Sequence, residues 1–376
     1  MTPTKTAGLY LHVPFCTKKC PYCHFYKELW DKDAESQFVT AICQEIKAYY
    51  DRFGKISVPT IFFGGGTPNV LRTTSLETIY KALHQYFDLS SCVEQTMEIN
   101  PGLSAVNKLK DIKSLGINRI SVGTQSFNDQ ELELLGRQHR AESNLRCIES
   151  INAAGFDNFS LDIMYGLPHS TLESLSKTIQ ISLSLNPSHL STYALSIEPD
   201  TPFKRQGVQP VSDEIEIDQY QHIIQEAGAA GFAQYEISNF AKPGQESKHN
   251  LRYWNCEDVI GLGPGAHSFF QEARYKNARS LSLYIKNPEP RAFTLKKWPV
   301  HSEKIRLENY LICQLRLIKP LDIVALDQKF KLSFLRDYAS KLDQLKSLDL
   351  ITLSDTEFTV KPKGRQLLNT ILELLL

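Results

Sequence analysis

Short apolar runs alternate with amphipathic stretches at least six times, and this alternation constrains the fold more than any other feature of the chain. The runs are Gly8 to Val13, Thr60 to Phe63, Thr96 to Ile99, Arg119 to Gly123, Asn158 to Met164 and His189 to Leu195, with Gln234 to Ser238 after them. Helices are expected between them, over Ala34 to Tyr50, Leu76 to Phe87, a stretch ending at Leu115, Glu142 to Ala154, Leu172 to Leu185 and Asp213 to Ala230. In the first of these, Phe38, Ile42, Ile46 and Tyr49 recur at the spacing of one helical face. Gly116, Gly155 and Gly231 stand where helices would end. Repeated strand–helix units imply parallel strands joined by right-handed crossovers. Polar residues and glycines follow the runs: the cysteine-rich loop from Cys16, then Gly64 to Thr67, Glu98, Gln125, Asp162 and Ala194. In β/α barrels the C-terminal strand ends carry the site. A Rossmann sheet would show G-x-G-x-x-G after its first strand, and this chain does not. A barrel, full or open, is therefore the expected α/β fold.

The texture changes after Gly261 to His267. From about Ser302 the chain reads as helices, then as a β-hairpin over Leu348 to Val360 and a terminal helix. Three helices and a hairpin resemble a winged-helix unit. A division into residues 1–285 and 286–376 is expected. Winged helices often bind DNA, but 42 basic residues against 42 acidic ones leave no basic field. No nucleic-acid partner is expected. The first residues, Met1 to Ala7, contain no apolar signal core. No run approaches the roughly 18 apolar residues of a membrane helix. A cytoplasmic location is the expectation.

Of eight cysteines, Cys43, Cys92, Cys147, Cys256 and Cys313 are scattered, as small core residues are. Cys16, Cys20 and Cys23 instead form C-x3-C-x2-C directly after the first run. Three thiolates so close can grip one inorganic cluster or metal from a single loop, and Pro14 and Pro21 stiffen that loop. Structural zinc wants four ligands, commonly in paired C-x2-C knuckles. His24 adjoins Cys23 and would strain the geometry as a fourth. Iron–sulfur clusters are held by cysteine thiolates, normally four, so three would leave one iron open. Gly64-Gly65-Gly66-Thr67-Pro68 offers close backbone approach and free N–H groups. The single polar residues have plainer readings: Asp162 as a turn cap, Arg137 in a surface ion pair of little worth.

With Tyr22 before its third cysteine, the loop resembles that of the radical S-adenosylmethionine (SAM) enzymes. Gly-Gly-Gly-Thr-Pro narrows the resemblance to the family of oxygen-independent coproporphyrinogen III oxidase and its relatives, over about residues 8 to 270. The resemblance implies a radical SAM-type open (β/α)6 barrel with a smaller C-terminal α+β, winged-helix-like domain. It implies that Cys16, Cys20 and Cys23 hold a [4Fe-4S] cluster whose open iron takes the amino and carboxylate groups of SAM. Tyr10, Tyr22, Gly65, Gly66, Thr67, Glu98, Gln125, Arg137, Asp162 and Ala194 match the family's cofactor positions.

Two features depart from the oxidases of that family. They carry a further cysteine two residues after the third ligand, where this chain has Phe25. They also have a longer N-terminal extension, whereas the first strand here begins by about Gly8. A third feature is His249-Asn250-Leu251-Arg252-Tyr253-Trp254, or HNxxYW. An exposed histidine among aromatic rings can ligate haem iron; a turn with a structural tryptophan is the plainer reading. HNxxYW resembles the mark of the haem chaperones among the oxidase's relatives. That resemblance implies haem as a further ligand, with His249 the expected contact. It also implies haem-acceptor proteins, membrane-bound respiratory proteins among them, an electron donor such as flavodoxin or ferredoxin, and a homodimer. The alternative activity is oxidative decarboxylation of coproporphyrinogen III.

Overall fold

The computed structural model describes residues 5–376; residues 1–4, part of the polar start read as lacking a signal core, lie outside the described residues. The first strands are β1 (Gly8–Val13), the short β2 (Phe15–Cys16) and β3 (Glu28–Leu29), which pair apart from the barrel, β4 (Thr60–Gly65), β5 (Glu94–Ile99), β6 (Arg119–Gln125), β7 (Phe159–Tyr165) and β8 (His189–Ala194). After them come β9 (Ala233–Glu236), β10 (Asn239–Ala241), β11 (Val259–Leu262), β12 (His267–Phe270) and β13 (Ala273–Lys276). One sheet runs β13-β12-β11-β1-β4-β5-β6-β7-β8-β10-β9. Its six central strands, β1 and β4 to β8, are parallel and neighbour one another in chain order. β1 and β8 do not pair, so the (β/α)6 barrel is open, as expected.

Side-chain alternation explains why these runs fold this way. One face of each strand carries Leu9, Leu11, Ile61, Phe63, Met97, Ile120, Val122, Leu161 and Ile163, all buried. The helices cover that face. The first, Lys32–Phe53, is capped by the Asp31 carboxylate, buries Phe38, Ile42, Ile46 and Tyr49, and stops at Gly54. The other strand face is polar, with buried Thr60, Glu94, Thr96, Arg119, Ser121, Ser160, His189 and Ser191. Parallel sheets usually bury apolar residues on both faces. A polar inner layer is therefore a departure that a site must account for.

The edges differ from the expected run of β/α units. The stretch expected at Gln234 to Ser238 is β9, and it turns straight back into β10, which lies antiparallel to β8. A connection this short cannot make a parallel crossover. At the other edge β11 is parallel to β1, and β12 and β13 add an antiparallel hairpin.

The C-terminal region has a core of its own, in which Leu311, Leu326, Phe334, Leu345, Phe358 and Ile371 are buried. Its helices pack on a three-stranded antiparallel sheet of β14 (Leu321–Asp322), β15 (Ile351–Leu353) and β16 (Glu357–Val360). The hairpin is the expected one, and the two-residue β14 is an addition. Ala292 and Phe293 belong to the barrel's core, and Trp298 packs against it. Among the described residues no helix is long and apolar enough to cross a membrane.

Candidate functional site

The cysteine loop leaves β1 at the C-terminal end of the barrel. β2 and β3 pair in parallel across it, and Trp30 N–H donates to the Cys16 carbonyl at 2.9 Å. The Gly-Gly-Gly-Thr-Pro turn grips the loop from below: Gly66 N–H donates to Val13 O and Thr67 N–H to Phe15 O, each at 2.7 Å. A Cβ on Gly66 would lie 2.5 Å from Phe15 O, so only glycine fits there. The Thr67 hydroxyl donates to Cys16 Sγ at 3.5 Å, and Arg137 Nη1 to Cys20 Sγ at 3.8 Å. Burial raises the Cys16 thiol above its ordinary pKa, and the Thr67 bond offsets part of that. Among the described residues no three His, Cys, Asp or Glu side chains converge as one ion would need. A cluster takes each thiolate on a separate iron, and donors reach two of these three sulfurs, those of Cys16 and Cys20.

Around the loop, the strand ends form a ring. Tyr10, Tyr22, Gly65, Gly66, Glu98, Gln125, Arg137, Asp162 and Ala194 are all half-buried, with Thr67 sealed among them. Tyr193, beside Ala194, is 42% exposed. Glu98 accepts from Gly65 N–H at 3.1 Å. Asp162 accepts from the Ser121 hydroxyl at 3.0 Å. Arg137 Nη2 donates to Gly123 O at 2.8 Å, while its buried Nε has no acceptor. Gln125 has φ +64°, a strained value for a non-glycine residue, and follows a register shift in β6. That bulge turns its amide over Gly123, next to Arg137. Tyr22 packs on Phe203, at 6.4 Å between ring centroids.

Burial, with Asp162 nearby, pushes the Glu98 carboxyl up to about 8, and burial pushes Asp162 up to about 6. Two carboxyls, a guanidinium with an unpaired N–H, an amide and backbone donors thus lie together at the strand ends beside three thiols. This donor set fits a ligand bearing an amino group, a carboxylate and hydroxyls, as SAM does. With a cluster and SAM bound, the chemistry supplied would be reductive cleavage of the sulfonium. There these residues would orient the ligand and hold it beside the three thiols.

His249 lies elsewhere, and here the structure corrects the expectation of an exposed histidine. It is 0% exposed. The helix Lys248–Trp254 closes the opposite, N-terminal end of the barrel. Glu94, the first residue of β5, accepts the N–H groups of Lys248 and His249 at 2.9 Å each, which favours a carboxylate at that helix start. His249 Nδ1 is 2.9 Å from the Thr60 hydroxyl and Nε2 is 3.1 Å from the Tyr253 hydroxyl. Both ring nitrogens are engaged. Burial, with Arg252 and Arg119 nearby, lowers its pKa to about 3. The HNxxYW segment is thus the floor of the polar barrel.

Ring and floor are joined through residues that sequence reasoning passed over. Tyr10 stacks on Phe62 and Phe62 on His249, at centroid distances of 6.1 and 5.4 Å. The Tyr10 hydroxyl is 3.2 Å from His12 Nδ1, and His12 Nε2 donates to Tyr26 O in the cysteine loop at 2.8 Å. Tyr10 and His12 share the inner face of β1, so the period-two pattern was the signal that could have found His12. Gly263 is the other: a Cβ there would lie 2.4 Å from His12 O.

Comparison with known proteins places these features. The radical SAM superfamily model matches residues 10–181, and the HemN C-terminal domain model residues 302–367. Heme chaperone HemW of Lactococcus lactis is 31% identical over 98% of this chain and 97% of its own. Heme chaperone HemW of Bacillus subtilis is 33% identical over 96% of this chain and 97% of its own. Coproporphyrinogen III oxidase (HemN) from Escherichia coli, a radical SAM enzyme of known structure, superposes with a TM-score of 0.86. That match covers 99% of this chain and 90% of the oxidase at 24% identity, and it shows the shared fold. Similarity to the two HemW proteins runs through barrel and C-terminal region alike, and the chain belongs to the family of heme chaperone HemW proteins within the radical SAM superfamily.

Proposed function

We propose that this protein is a haem chaperone that binds one [4Fe-4S] cluster, SAM and haem, and delivers haem to acceptor proteins. The observation that carries the reading is the near end-to-end similarity to two proteins named heme chaperone HemW. Phe25, 56% exposed, supports it, because the oxidases' further cysteine belongs at that position. In this reading Cys16, Cys20 and Cys23 hold the cluster. Tyr10, Tyr22, Gly65, Gly66, Thr67, Glu98, Gln125, Arg137, Asp162 and Ala194 surround SAM. An electron donor of the flavodoxin or ferredoxin kind reduces the cluster. The acceptors include membrane-bound respiratory proteins, and the chaperone works in the cytoplasm as a homodimer.

His249 contacts haem in this reading only if the floor helix swings out, since Thr60 and Tyr253 hold both its nitrogens. One anaerobic experiment on reconstituted protein tests the function. Haem titration should give saturable binding with a shifted Soret band. Coproporphyrinogen III with reductant and SAM should remain unconverted. Robust protoporphyrinogen formation without haem binding would replace the reading with the oxidase activity. A His249→Ala protein with unchanged haem spectrum and affinity would remove His249 from the haem site.

A further inference from the structure

The exposed histidine beside an aromatic ring that HNxxYW does not supply is present at the other end of the barrel. The arm that returns from Cys23 is tied to the cysteine loop by Glu28 N–H on Pro14 O at 2.6 Å and Trp30 N–H on Cys16 O at 2.9 Å. His24, Phe25, Leu29 and Trp30 on this arm are all exposed. The His24 and Phe25 rings stack, with centroids 4.6 Å apart and planes 30° from parallel. His84, His169 and His267 are exposed as well, but among the described residues only His24 packs its ring on another exposed ring. Arg279 Nη2 donates to the His24 carbonyl at 2.7 Å, so the residue is anchored through its backbone. Among the described residues no donor or acceptor engages its ring nitrogens.

Two cations frame the stacked pair. Lys27 Nζ donates to Cys23 O at 2.6 Å and to Phe25 O at 3.4 Å. Arg279 is placed by the β12–β13 hairpin: Gly265 N–H donates to Ala278 O at 2.9 Å, and a Cβ on Gly265 would lie 3.3 Å from Tyr26 Cβ and 3.7 Å from Arg279 Cγ. Both cations are held by main-chain carbonyls, and among the described residues neither has a carboxylate partner.

Haem asks three things of a surface that carries it: an imidazole nitrogen for its iron, apolar rings against the porphyrin, and cations for its two propionates. Axial ligation sets the imidazole plane across the porphyrin plane. Phe25 lies close to parallel with His24, so its edge would meet the porphyrin face as well, the edge-to-face packing that aromatic rings favour. The stack also holds the orientation of the imidazole, a task usually given to a hydrogen bond on the second ring nitrogen.

We propose that the exposed surface of His24 and Phe25 is the haem-binding site, with His24 as axial ligand, Phe25 against the porphyrin, and Arg279 and Lys27 facing the propionates. The proposal rests on the haem-chaperone reading and gives haem a place that the sealed floor does not. A site on an open arm also suits a cargo that an acceptor must reach.

The test is titration of the full, cluster-reconstituted chain with ferric haem, followed by absorbance and by magnetic circular dichroism, which identifies histidine ligation. His24→Ala should weaken binding by about tenfold or more and lose the histidine signature, which added imidazole should restore. Phe25→Ser should weaken binding and keep the signature. Arg279→Ala should abolish the preference of the wild type for haem over its dimethyl ester. His84→Ala, on the helix Thr73–Tyr86, should match the wild type. Iron content and far-ultraviolet circular dichroism report on the cysteine loop. If His24→Ala takes up less iron, Phe25→Ser and Arg279→Ala, which do not adjoin a cluster cysteine, still read the site. A wild type that binds haem beside a His24→Ala protein of unchanged affinity and signature would overturn the site and leave the haem-chaperone reading standing. An equal loss in His84→Ala would mark adventitious ligation by surface histidines and overturn it too. No saturable binding by the wild type would overturn that reading itself, and the site with it.

Discussion

Replacing His249 by glutamine isolates what the sealed floor contributes, because the loss should depend on pH in a calculable way. In the folded chain the imidazole is neutral, with a pKa lowered to about 3 by burial, whereas an unfolded histidine titrates near 6.5. A lowered folded pKa means that the unfolded state binds the proton more tightly. Stability from this group is therefore complete above about 6.5 and is lost as pH falls toward 3. Between pH 6 and pH 5 the unfolded histidine goes from mostly to almost wholly charged, and the wild type should lose about 1.2 kcal/mol from this residue. Glutamine does not titrate and can satisfy only one of the two hydroxyls at a time. At pH 7 the variant should be less stable by about 1–3 kcal/mol, the usual cost of a buried polar group left unsatisfied. At pH 5 that gap should be smaller by about 1.2 kcal/mol than at pH 6. His12 and His189, also lowered by burial, are common to both proteins and cancel in the difference. Urea unfolding of both proteins at pH 5, 6 and 7, followed by circular dichroism, measures the gap. Parallel stability curves would refute a neutral, sealed His249.

Three further substitutions probe the other end of the barrel and its floor. Cys20→Ala should abolish the broad absorbance at roughly 400 nm that reconstitution with iron and sulfide produces, because a thiolate is lost from the cluster; full iron content would sink the ligand assignment. Gly66→Ala drives a Cβ to 2.5 Å from Phe15 O, so the loop must shift. Iron incorporation should fall severalfold while far-ultraviolet circular dichroism is unchanged, and normal incorporation would show the turn to be slack. Glu94→Gln replaces a carboxylate that accepts two helix N–H groups by an amide that accepts well with only one atom. The expected loss is about 1–3 kcal/mol, seen in calorimetry as a lower Tm; an unchanged Tm would mean the floor helix is held by other contacts.

The barrel was legible because its outer strand face and its helices follow simple periods. Leu9, Leu11 and Val13 alternate with polar residues, and the helices recur between the runs. Of the edges only β9 was legible, and its turn back into β10 was not. β9 and β10 are short and joined within two residues, and β12 and β13 follow a glycine-rich stretch with no apolar run to mark them. In the ring, Glu98, Gln125 and Asp162 could be picked out as polar residues ending apolar runs. Gln125 shows the limit of that rule, since its position depends on a bulge and a left-handed φ that composition does not encode. His249 shows a different limit. An aromatic-flanked histidine reads the same whether its ring meets solvent or a threonine 189 residues away in the chain, and only the fold brings Thr60 to it.

The polar inner layer of the barrel ties these observations together. A parallel sheet with an apolar core on both faces would leave nothing for a floor helix to bind. Here Thr60 and Glu94, the first residues of β4 and β5, hold that helix, while Gly65 and Glu98 at or near the ends of the same strands belong to the ring. Two adjacent strands thus carry both sites, one at each end, with Phe62 stacked between Tyr10 of the ring and His249 of the floor. A fold shared with a coproporphyrinogen oxidase need not share its chemistry, because function resides in sites placed on the fold. In this chain Phe25 lies beside the cluster loop and HNxxYW seals the far end. The half-buried ring between them is the part that the radical SAM resemblance describes.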